Sequence, residues 1–271
     1  MTEGTAIIVS TGRTGTVALA RILGRAYPDV HALHEPPGSR LIRVAGNAYL
    51  AGRLSRRQVI RLLQHTVGRR ARATRRRMYI EASPLLRTVL GPLTQDVLPR
   101  ARVIHVTRDP RAYIRSYINH GVFSGIKGFA ARHVPYAVLR PEHLDPASPR
   151  RWMDMDPVEA IAWRWRTLNR LIEDAGAEMG DRYIRLRFED LLGASGAGLR
   201  DLVRWLGLDP ERLPADATSI PANQSLGQSL PATDDWPARW HALVLHECGA
   251  SMERYGYPVP SENGDPPGRA T

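Results

Sequence analysis

The sequence predicts an α/β fold in which a parallel sheet is flanked by helices. Short β-branched apolar runs recur along the 271 residues, and amphipathic helical patterns lie between them. No apolar stretch approaches the roughly 20 residues that a membrane-spanning helix needs. No internal repeat or linker divides the chain. We therefore expect one domain over residues 1–257 and a disordered tail over 258–271, which is rich in Pro, Gly and charge.

Each predicted strand is an apolar run that ends in polar or proline-containing residues. The five runs are 5–10, 30–34, 78–82, 103–107 and 183–188. Helices are predicted where apolar residues recur three or four positions apart, at 15–26, 54–67, 85–98, 110–120, 156–179, 196–206 and 236–255. Three segments are predicted to be irregular. They are 36–52, 121–156, which shows little periodicity, and 209–235, which is rich in Pro, Ala, Ser and Asn. In a parallel sheet, ligands bind beyond the carboxyl ends of the strands, so functional residues are expected there.

Charge and cysteine content limit the classes of function. The net charge is +11, which favours anionic partners, and the single lysine is Lys127. Ten arginines between Arg53 and Arg77 form either a solvated helix face or a patch for an acidic substrate or partner. Nucleic acid is disfavoured because aromatic residues are not interleaved with these arginines. Because Cys248 is the only cysteine and no signal peptide is evident, we expect a cytoplasmic protein without a disulfide or structural zinc.

The first strand is followed by a glycine-containing turn, Gly12–Thr16, and then by a helical pattern. A strand–turn–helix unit of this kind directs backbone N–H groups at an anion. The turn is not a Walker A loop, because two residues separate Gly12 from Gly15 and Thr16 stands where a lysine is required. Arg13 adds a cation at the centre of the turn. The sequence therefore predicts an anion site of another type here.

A second anion-site pattern follows the fourth predicted strand. Asp109 is a favourable N-cap residue and Pro110 suits the first position of a helix, which places Arg108 at the carboxyl end of the strand. Ser116 lies eight positions after Arg108, about two turns into that helix. Taken alone, this stretch also fits an ordinary capped helix with a surface arginine.

Together, the two patterns resemble the 3′-phosphoadenosine-5′-phosphosulfate (PAPS) dependent sulfotransferases, whose fold is similar to that of P-loop proteins. The segment Gly12-Arg13-Thr14-Gly15-Thr16 resembles the family's 5′-phosphosulfate loop, and Arg108 with Ser116 resembles its 3′-phosphate motif. The stretches RFEDLL (187–192) and CGASMERYGY (248–257) also resemble late elements of bacterial members. The resemblance implies that the loop, with N–H groups through Val17, binds the 5′-phosphate, while Arg108 and Ser116 select the 3′-phosphate.

The chain departs from the family pattern at two places. Val17 stands where many members carry a second threonine, which removes one hydroxyl contact to the 5′-phosphate. The Arg-Lys-Gly cluster that completes the 3′-phosphate site in cytosolic members is also missing. By position, the loop 220–230 is the candidate replacement, with Asn223, Gln224 and Ser225 as its polar residues.

A hydroxyl acceptor requires a general base, and the resemblance to carbohydrate-directed members implies Glu35, which follows the second strand. Glu35 is alternatively a structural carboxylate paired with Arg40 or Arg43, and Glu81 after the third strand is the competing base. His34 and His105 are expected to have structural partners. Trp163 and Trp165 lie two positions apart and cannot share one helix face. One is therefore expected in the core, and the other is a candidate for stacking on a ligand.

These features predict an enzyme that moves the sulfuryl group of PAPS to a hydroxyl of a sugar or secondary metabolite by in-line displacement, with Arg13 and Glu35 as catalytic groups and no metal. The expected partner is a small-molecule acceptor, with no nucleic acid or membrane, and the sequence does not predict an oligomeric state. Three alternatives stay open at this point. They are a kinase-like P-loop enzyme, a PAPS-dependent elimination or cyclisation enzyme, and a non-catalytic polyanion-binding module.

Overall fold

The computed structural model describes residues 4–193, 195–218 and 230–259, and it confirms the α/β fold. Five parallel strands form one sheet in the order β2-β3-β1-β4-β5. The strands are β1 (Gly4–Ser10), β2 (Val30–His34), β3 (Met78–Ala82), β4 (Arg102–Thr107) and β5 (Tyr183–Arg187). From β1 the chain first runs towards β2 and β3 and then crosses to β4 and β5. The direction therefore reverses between β1 and β4, where a parallel sheet opens a crevice for ligands.

Helices cover both faces of this sheet. Their bounds are α1 (Thr16–Ala26), α2 (Ser39–Leu50), α3 (Arg56–Leu63), α4 (Arg69–Ala73), α5 (Leu90–Pro92), α6 (Pro110–Asn119), α7 (Gly125–His133), α8 (Pro141–Leu144), α9 (Pro157–Gly176), α10 (Phe188–Leu191), α11 (Ala197–Trp205) and α12 (Ala238–Tyr255). Within the described residues, no helix has both the length and the apolar character needed to cross a membrane.

The continuous apolar run in β1 is explained by burial on both of its faces. Ala6 and Ile8 pack in a cluster with α1 and α11, whereas Ile7 and Val9 pack on the other face with α3 and α9. All four side chains are fully buried. Alternate residues of a strand point to opposite faces, so a central parallel strand must be apolar at every position.

A third apolar cluster joins α6, α9 and α12 beside the sheet. Trp163 and Trp165 both belong to it and both are buried, although only one of them was expected in the core. Both tryptophans are buried because α9 contacts α6, α12, β1 and β4, so that little of the surface of this helix is open to solvent. Trp165 also donates a hydrogen bond through Nε1 to the carbonyl oxygen of Arg108 at 2.9 Å, so this tryptophan supports the end of β4.

Three predictions about irregular and helical segments were wrong. The segment 36–52 contains helix α2, whose buried face consists largely of small residues such as Ala45, Gly46 and Ala48 and therefore gave little apolar signal. A Cβ on Gly46 would lie 2.2 Å from Oγ1 of Thr88, so the contact needs a glycine. The segment 121–156 holds the short helices α7 and α8. Conversely, the helix predicted over 85–98 is broken into 3₁₀, α and π turns.

Candidate active site

The two predicted anion motifs meet at the point where the sheet changes direction. Ser116 accepts a hydrogen bond from Nε of Arg13 at 3.0 Å, across 103 positions of sequence. Arg108 donates through Nη1 to the backbone oxygen of Arg13 at 2.6 Å. Two guanidinium groups and a hydroxyl therefore lie together beyond the carboxyl ends of β1 and β4. The sequence placed each of these residues at a strand end, and the structure brings them into contact.

The loop between β1 and α1 has the backbone shape of an anion cradle. Gly12, Arg13 and Gly15 all have positive φ angles, of 99°, 57° and 70°. Such angles are uncommon for a residue with a side chain, and they persist where the surrounding structure enforces them, often at functional sites. Ser10 fixes the start of the turn, because its Oγ accepts from the N–H of Gly12 at 3.1 Å.

The start of α1 is suited to an anion. Gly15 is its N-cap residue and has no side chain with which to cap the first N–H groups. The hydroxyl groups of Thr11 and Thr14 are buried without a hydrogen-bond partner in the loop before it, and a buried unpaired hydroxyl is costly unless a ligand satisfies it. Thr16 and Val17 form the first turn of the helix, which places their N–H groups at the same end.

Burial lowers the pKa values of both arginines of the site. Desolvation lowers the pKa of Arg13, opposed by Tyr117, and it lowers the pKa of Arg108, opposed chiefly by Glu189. The guanidinium of Arg108 also lies over the ring of Phe188, with 4.8 Å to the ring centroid. Because a desolvated charge is costly unless it is paired, these arginines are suited to an anionic ligand.

A network not foreseen from the sequence holds the end of β4. The hydroxyl groups of Thr107 and Tyr257 are 3.0 Å apart, and Tyr257 donates to Oε2 of Glu189 at 3.3 Å. The other oxygen of Glu189 accepts from the N–H of Asp109 at 3.0 Å. Asp109 in turn caps α6 by accepting from the N–H of Arg111. The stretches that contain Glu189 and Tyr257 had been noted for their resemblance, and Glu189 also for its place at a strand end, but neither residue had been given a role.

Glu35 lies on the same edge of the sheet, directly after β2. It has a positive φ of 40°, and its side chain is 35% exposed, with Oε1 at 3.9 Å from Nε2 of His34. Burial lowers the pKa of His34, and the neighbouring Glu35 opposes that shift. Since β3 separates β2 from β1, the ends of these two strands are about 10 Å apart. An acceptor group can fit within that separation.

The competing carboxylate, Glu81, is engaged inside the fold. Its side chain is fully buried and pairs with Arg70, whose Nη2 lies 2.9 Å from Oε1 and whose Nε lies 3.2 Å from Oε2. The hydroxyl of Tyr79 donates to the same carboxylate. Arg70 also donates to the backbone oxygen of Pro37 at 3.2 Å, which ties the segment after Glu35 to this pair. One arginine of the basic stretch 53–77 is therefore structural.

The remaining sequence-based assignments concern His105, the loop residues Asn223 and Ser225, and metal binding. His105 has structural partners as expected, since its ring nitrogens lie 2.9 Å from Oδ1 of Asn169 and 2.8 Å from the hydroxyl of Tyr183. Asn223 and Ser225, with the rest of 219–229, lie outside the described residues. Among the residues that are described, no group of three or more His, Cys, Asp or Glu side chains is arranged to hold a metal ion.

A cavity of about 660 Å³ lies elsewhere, at the amino ends of β1, β3 and β4. Its lining includes Arg77, Arg100, Arg102 and Trp205, and it contains none of the motif residues. We assign the candidate site to the carboxyl ends of the strands, because the paired cations, the unpartnered hydroxyl groups and the open helix N-terminus all lie there.

The known proteins that this chain resembles are sulfotransferases. The model of the family described as "Sulfotransferase family" matches residues 6–212. Similar solved structures include a sulfotransferase domain from the curacin biosynthetic pathway (TM-score 0.55, 14% identity, 96% of this chain and 99% of that chain). A sulfotransferase from Alicyclobacillus acidocaldarius (TM-score 0.54, 13% identity, 96% and 98%) and the sulfotransferase domain of the Synechococcus PCC 7002 olefin synthase (TM-score 0.50, 18% identity, 96% and 97%) are also similar. No curated protein matches the chain.

Proposed function

The chain belongs to the sulfotransferase family, and from this premise we propose that it transfers the sulfuryl group of PAPS to a hydroxyl group of a small molecule. The observation that carries the proposal is the contact between Arg13, Ser116 and Arg108 at the junction of β1 and β4. We further propose a sugar or another hydroxylated metabolite as the acceptor, action in the cytoplasm, and no need for a metal.

The residues of the loop fit the phosphosulfate end of PAPS. An anionic oxygen needs hydrogen-bond donors, and the buried, unpartnered hydroxyl groups of Thr11 and Thr14 can supply them. The first N–H groups of α1 add the positive end of a helix dipole. PAPS supplies an activated sulfuryl group whose departure leaves negative charge on the 5′-phosphate. Arg13 and the loop stabilise that charge as it develops, which accelerates the reaction itself.

The second cation serves binding rather than bond cleavage. Arg108 and Ser116 would hold the 3′-phosphate, a group whose charge does not change during transfer. Trp165 and Phe188 fix the position of Arg108 through its carbonyl and its guanidinium. Ser116 also contacts Arg13, so it couples the two phosphate sites. A nucleotide that lacks the 3′-phosphate would lose the contacts to Arg108 and Ser116.

Glu35 is proposed to accept the proton of the acceptor hydroxyl. Its carboxylate is partly exposed and lies on the ligand side of the sheet, whereas Glu81 is fully buried and paired. The bond from sulfur to the bridging phosphate oxygen breaks as the acceptor oxygen attacks in line, and the acceptor proton passes to Glu35. A positioned general base typically contributes about 10²–10⁴-fold in rate.

A thermal-shift comparison tests the co-substrate. Adenosine-3′,5′-bisphosphate should stabilise the protein by about 2.7 kcal/mol at a hundredfold excess over its Kd. AMP lacks the 3′-phosphate and should give a much smaller rise in melting temperature at the same concentration. Equal rises with the two nucleotides, or none with either, would refute PAPS use.

A matched pair of variants tests the base. With ³⁵S-labelled PAPS and a panel of sugars and hydroxylated metabolites, Glu35→Gln should lower label transfer by about 10²–10⁴-fold. Its melting-temperature response to the bisphosphate should be unchanged. Glu211→Gln, at an exposed position in the 3₁₀ turn Pro210–Arg212, should match the wild type in both measurements. Full transfer by Glu35→Gln would show that another group is the base.

A further inference from the structure

Three arginines outside both phosphate motifs form a buried group next to the site. Arg43 is on α2, Arg87 follows the short 3₁₀ turn after β3, and Arg164 is on α9. Arg87 and Arg164 are only 5% and 2% exposed, and Arg43 is half-buried. Burial, together with the charges of Arg164 and Arg43, lowers the pKa of Arg87 to about 10. The three guanidinium groups are therefore close enough to repel one another.

These cations have few anionic neighbours. The buried Nε atoms of Arg43 and Arg87, and Nε and Nη1 of Arg164, have no hydrogen-bond partner. Tyr113 and Tyr117 face them from α6, and Arg164 lies 5.3 Å from the ring centroid of Tyr117. On the α2 side, the charge of Arg40 lowers the pKa of Arg43, and the charge of Glu35 opposes this shift more weakly. Among the described residues, Glu35 is the only carboxylate that is a principal electrostatic partner of the three arginines.

The arginine group lies next to residues that contact the phosphosulfate loop. The hydroxyl of Tyr113 donates to the backbone oxygen of Thr11 at 3.4 Å. A Cβ placed on Gly12 would be 3.9 Å from both Tyr117 and Pro84, and Arg87 donates to the backbone oxygen of Pro84. On the other side, the charge of Glu35 acts on Arg43, so the group extends from the neighbourhood of the loop towards the proposed base. That is the position of the acceptor in the proposed reaction.

Burying several like charges without a counter-ion is strongly unfavourable unless another benefit is obtained. Guanidinium groups present planar sets of N–H donors that match carboxylate and phosphate oxygens. The two phosphates of the nucleotide are already served by Arg13, the loop, Arg108 and Ser116. We propose that Arg43, Arg87 and Arg164 form an oxyanion-binding pocket, so that the acceptor carries a carboxylate or phosphate group in addition to the hydroxyl that is sulfated.

This pocket rests on the proposed function, and it adds a requirement on the acceptor. With its oxyanion held by the arginine group, the acceptor is restrained from turning, and its hydroxyl is directed to the space between Glu35 and the loop. A neutral sugar or a phenol would leave the buried cations unpaired and would be rejected. Discrimination of this type, against a ligand that leaves buried polar groups unsatisfied, is stronger than discrimination by shape alone.

The test uses the full chain saturated with adenosine-3′,5′-bisphosphate, so that the nucleotide's own phosphate sites are filled. Inorganic phosphate and acetate are then titrated at constant ionic strength, with chloride as the reference anion, and the melting temperature is followed. Phosphate, acetate or both should raise the melting temperature in the wild type. The anion that responds identifies the acceptor's group as a phosphate or a carboxylate.

Arg87→Met and Arg164→Met should weaken this response by tenfold or more in apparent affinity, since each removes a charged hydrogen-bond donor. Arg170→Met is the matched control, because Arg170 lies on the same helix with 74% of its side chain exposed, and it should respond like the wild type. Both buried variants should fold, because replacing an uncompensated buried charge by an apolar side chain is often neutral or stabilising. Their melting-temperature response to the bisphosphate should persist, which separates this proposal from the assignment of PAPS.

Two results would overturn the pocket. The first is an absent anion response in the wild type, or an equal response in wild type and Arg164→Met. The second concerns Tyr117, whose pKa is raised by burial but lowered overall by Arg164, Arg87 and Arg43. If absorbance near 295 nm shows a tyrosinate at neutral pH that Tyr117→Phe abolishes, the phenolate is the counter-ion and no acceptor anion is required.

Discussion

Replacing Arg70 should destabilise the protein more than replacing its partner Glu81. Glu81 is fully buried, whereas 20% of the Arg70 side chain is exposed. Arg70→Met therefore leaves a carboxylate that water cannot reach, at a cost of about 3–5 kcal/mol. Glu81→Gln leaves a guanidinium that can be partly hydrated, and the amide still accepts a hydrogen bond, so about 1–3 kcal/mol is expected. The double variant should recover part of the loss, because no buried charge is then unpaired.

Equilibrium unfolding in urea at pH 7.5 measures these free energies, with an unchanged m-value as evidence of an unchanged transition. The control is Arg204→Met, because Arg204 pairs with Asp201 on the surface, with side chains 56% and 70% exposed. A cost of at most about 1 kcal/mol is expected there. The reasoning is refuted if Arg70→Met costs no more than the control or less than Glu81→Gln. Folded Glu81→Gln should also keep its sulfuryl-transfer rate, which a catalytic carboxylate would not allow.

Three further expectations concern the site and its support. Arg13→Ala should lower kcat by about tenfold or more while Arg108→Ala mainly raises the KM for PAPS, and steady-state kinetics that show the reverse pattern would exchange their roles. Burial lowers the pKa of His105 to about 3, so between about pH 6.5 and 3 the unfolded chain binds a proton that the native state does not. Stability should therefore fall by about 1 kcal/mol from pH 7 to 5.5, and the pH slope should flatten in His105→Gln. At Gly15, which has a φ of +70°, an added Cβ would lie 2.7 Å from Cδ1 of Leu192. Gly15→Ala should therefore abolish bisphosphate binding in the thermal-shift assay, whereas Gly24→Ala, within the helix that Gly15 caps, should bind normally.

Local chemistry allowed the strands and the two candidate anion motifs to be predicted. A buried parallel strand must be apolar throughout, which made the run Ala6–Val9 recognisable. Asp109 and Pro110 specify a helix start by their own preferences, and Asp109 does cap α6. Because parallel strands end at one edge of the sheet, Arg13 and Arg108 could be placed at that edge from their positions along the chain, whereas the adjacency of β1 and β4 is seen in the structure. The contact between them follows from topology.

The arginine group could not be predicted, because Arg43, Arg87 and Arg164 come from three elements that are distant in sequence. In a chain with 38 Lys and Arg residues, no local pattern distinguishes these three from solvated arginines. Helix α2 was also missed, since its small buried residues carry little apolar signal. The role of Glu81 depends on Arg70, which the sequence had only grouped with the other nine arginines of its stretch. In each of these cases, the structural role of the residues depends on contacts with elements that are distant in sequence.

The hydrogen bond between Thr107 and Tyr257 joins residues 150 positions apart, and this span has a consequence for synthesis on the ribosome. A nascent chain exposes both phosphate motifs long before Tyr257 leaves the exit tunnel. Closing so long a loop costs entropy that only native packing repays, so the end of β4 should be secured late. We expect arrested nascent chains that stop short of Tyr257 to bind adenosine-3′,5′-bisphosphate weakly. High-affinity binding of the nucleotide would then appear only when folding is complete. The nucleotide could therefore not assist the formation of the sheet at an earlier stage of synthesis.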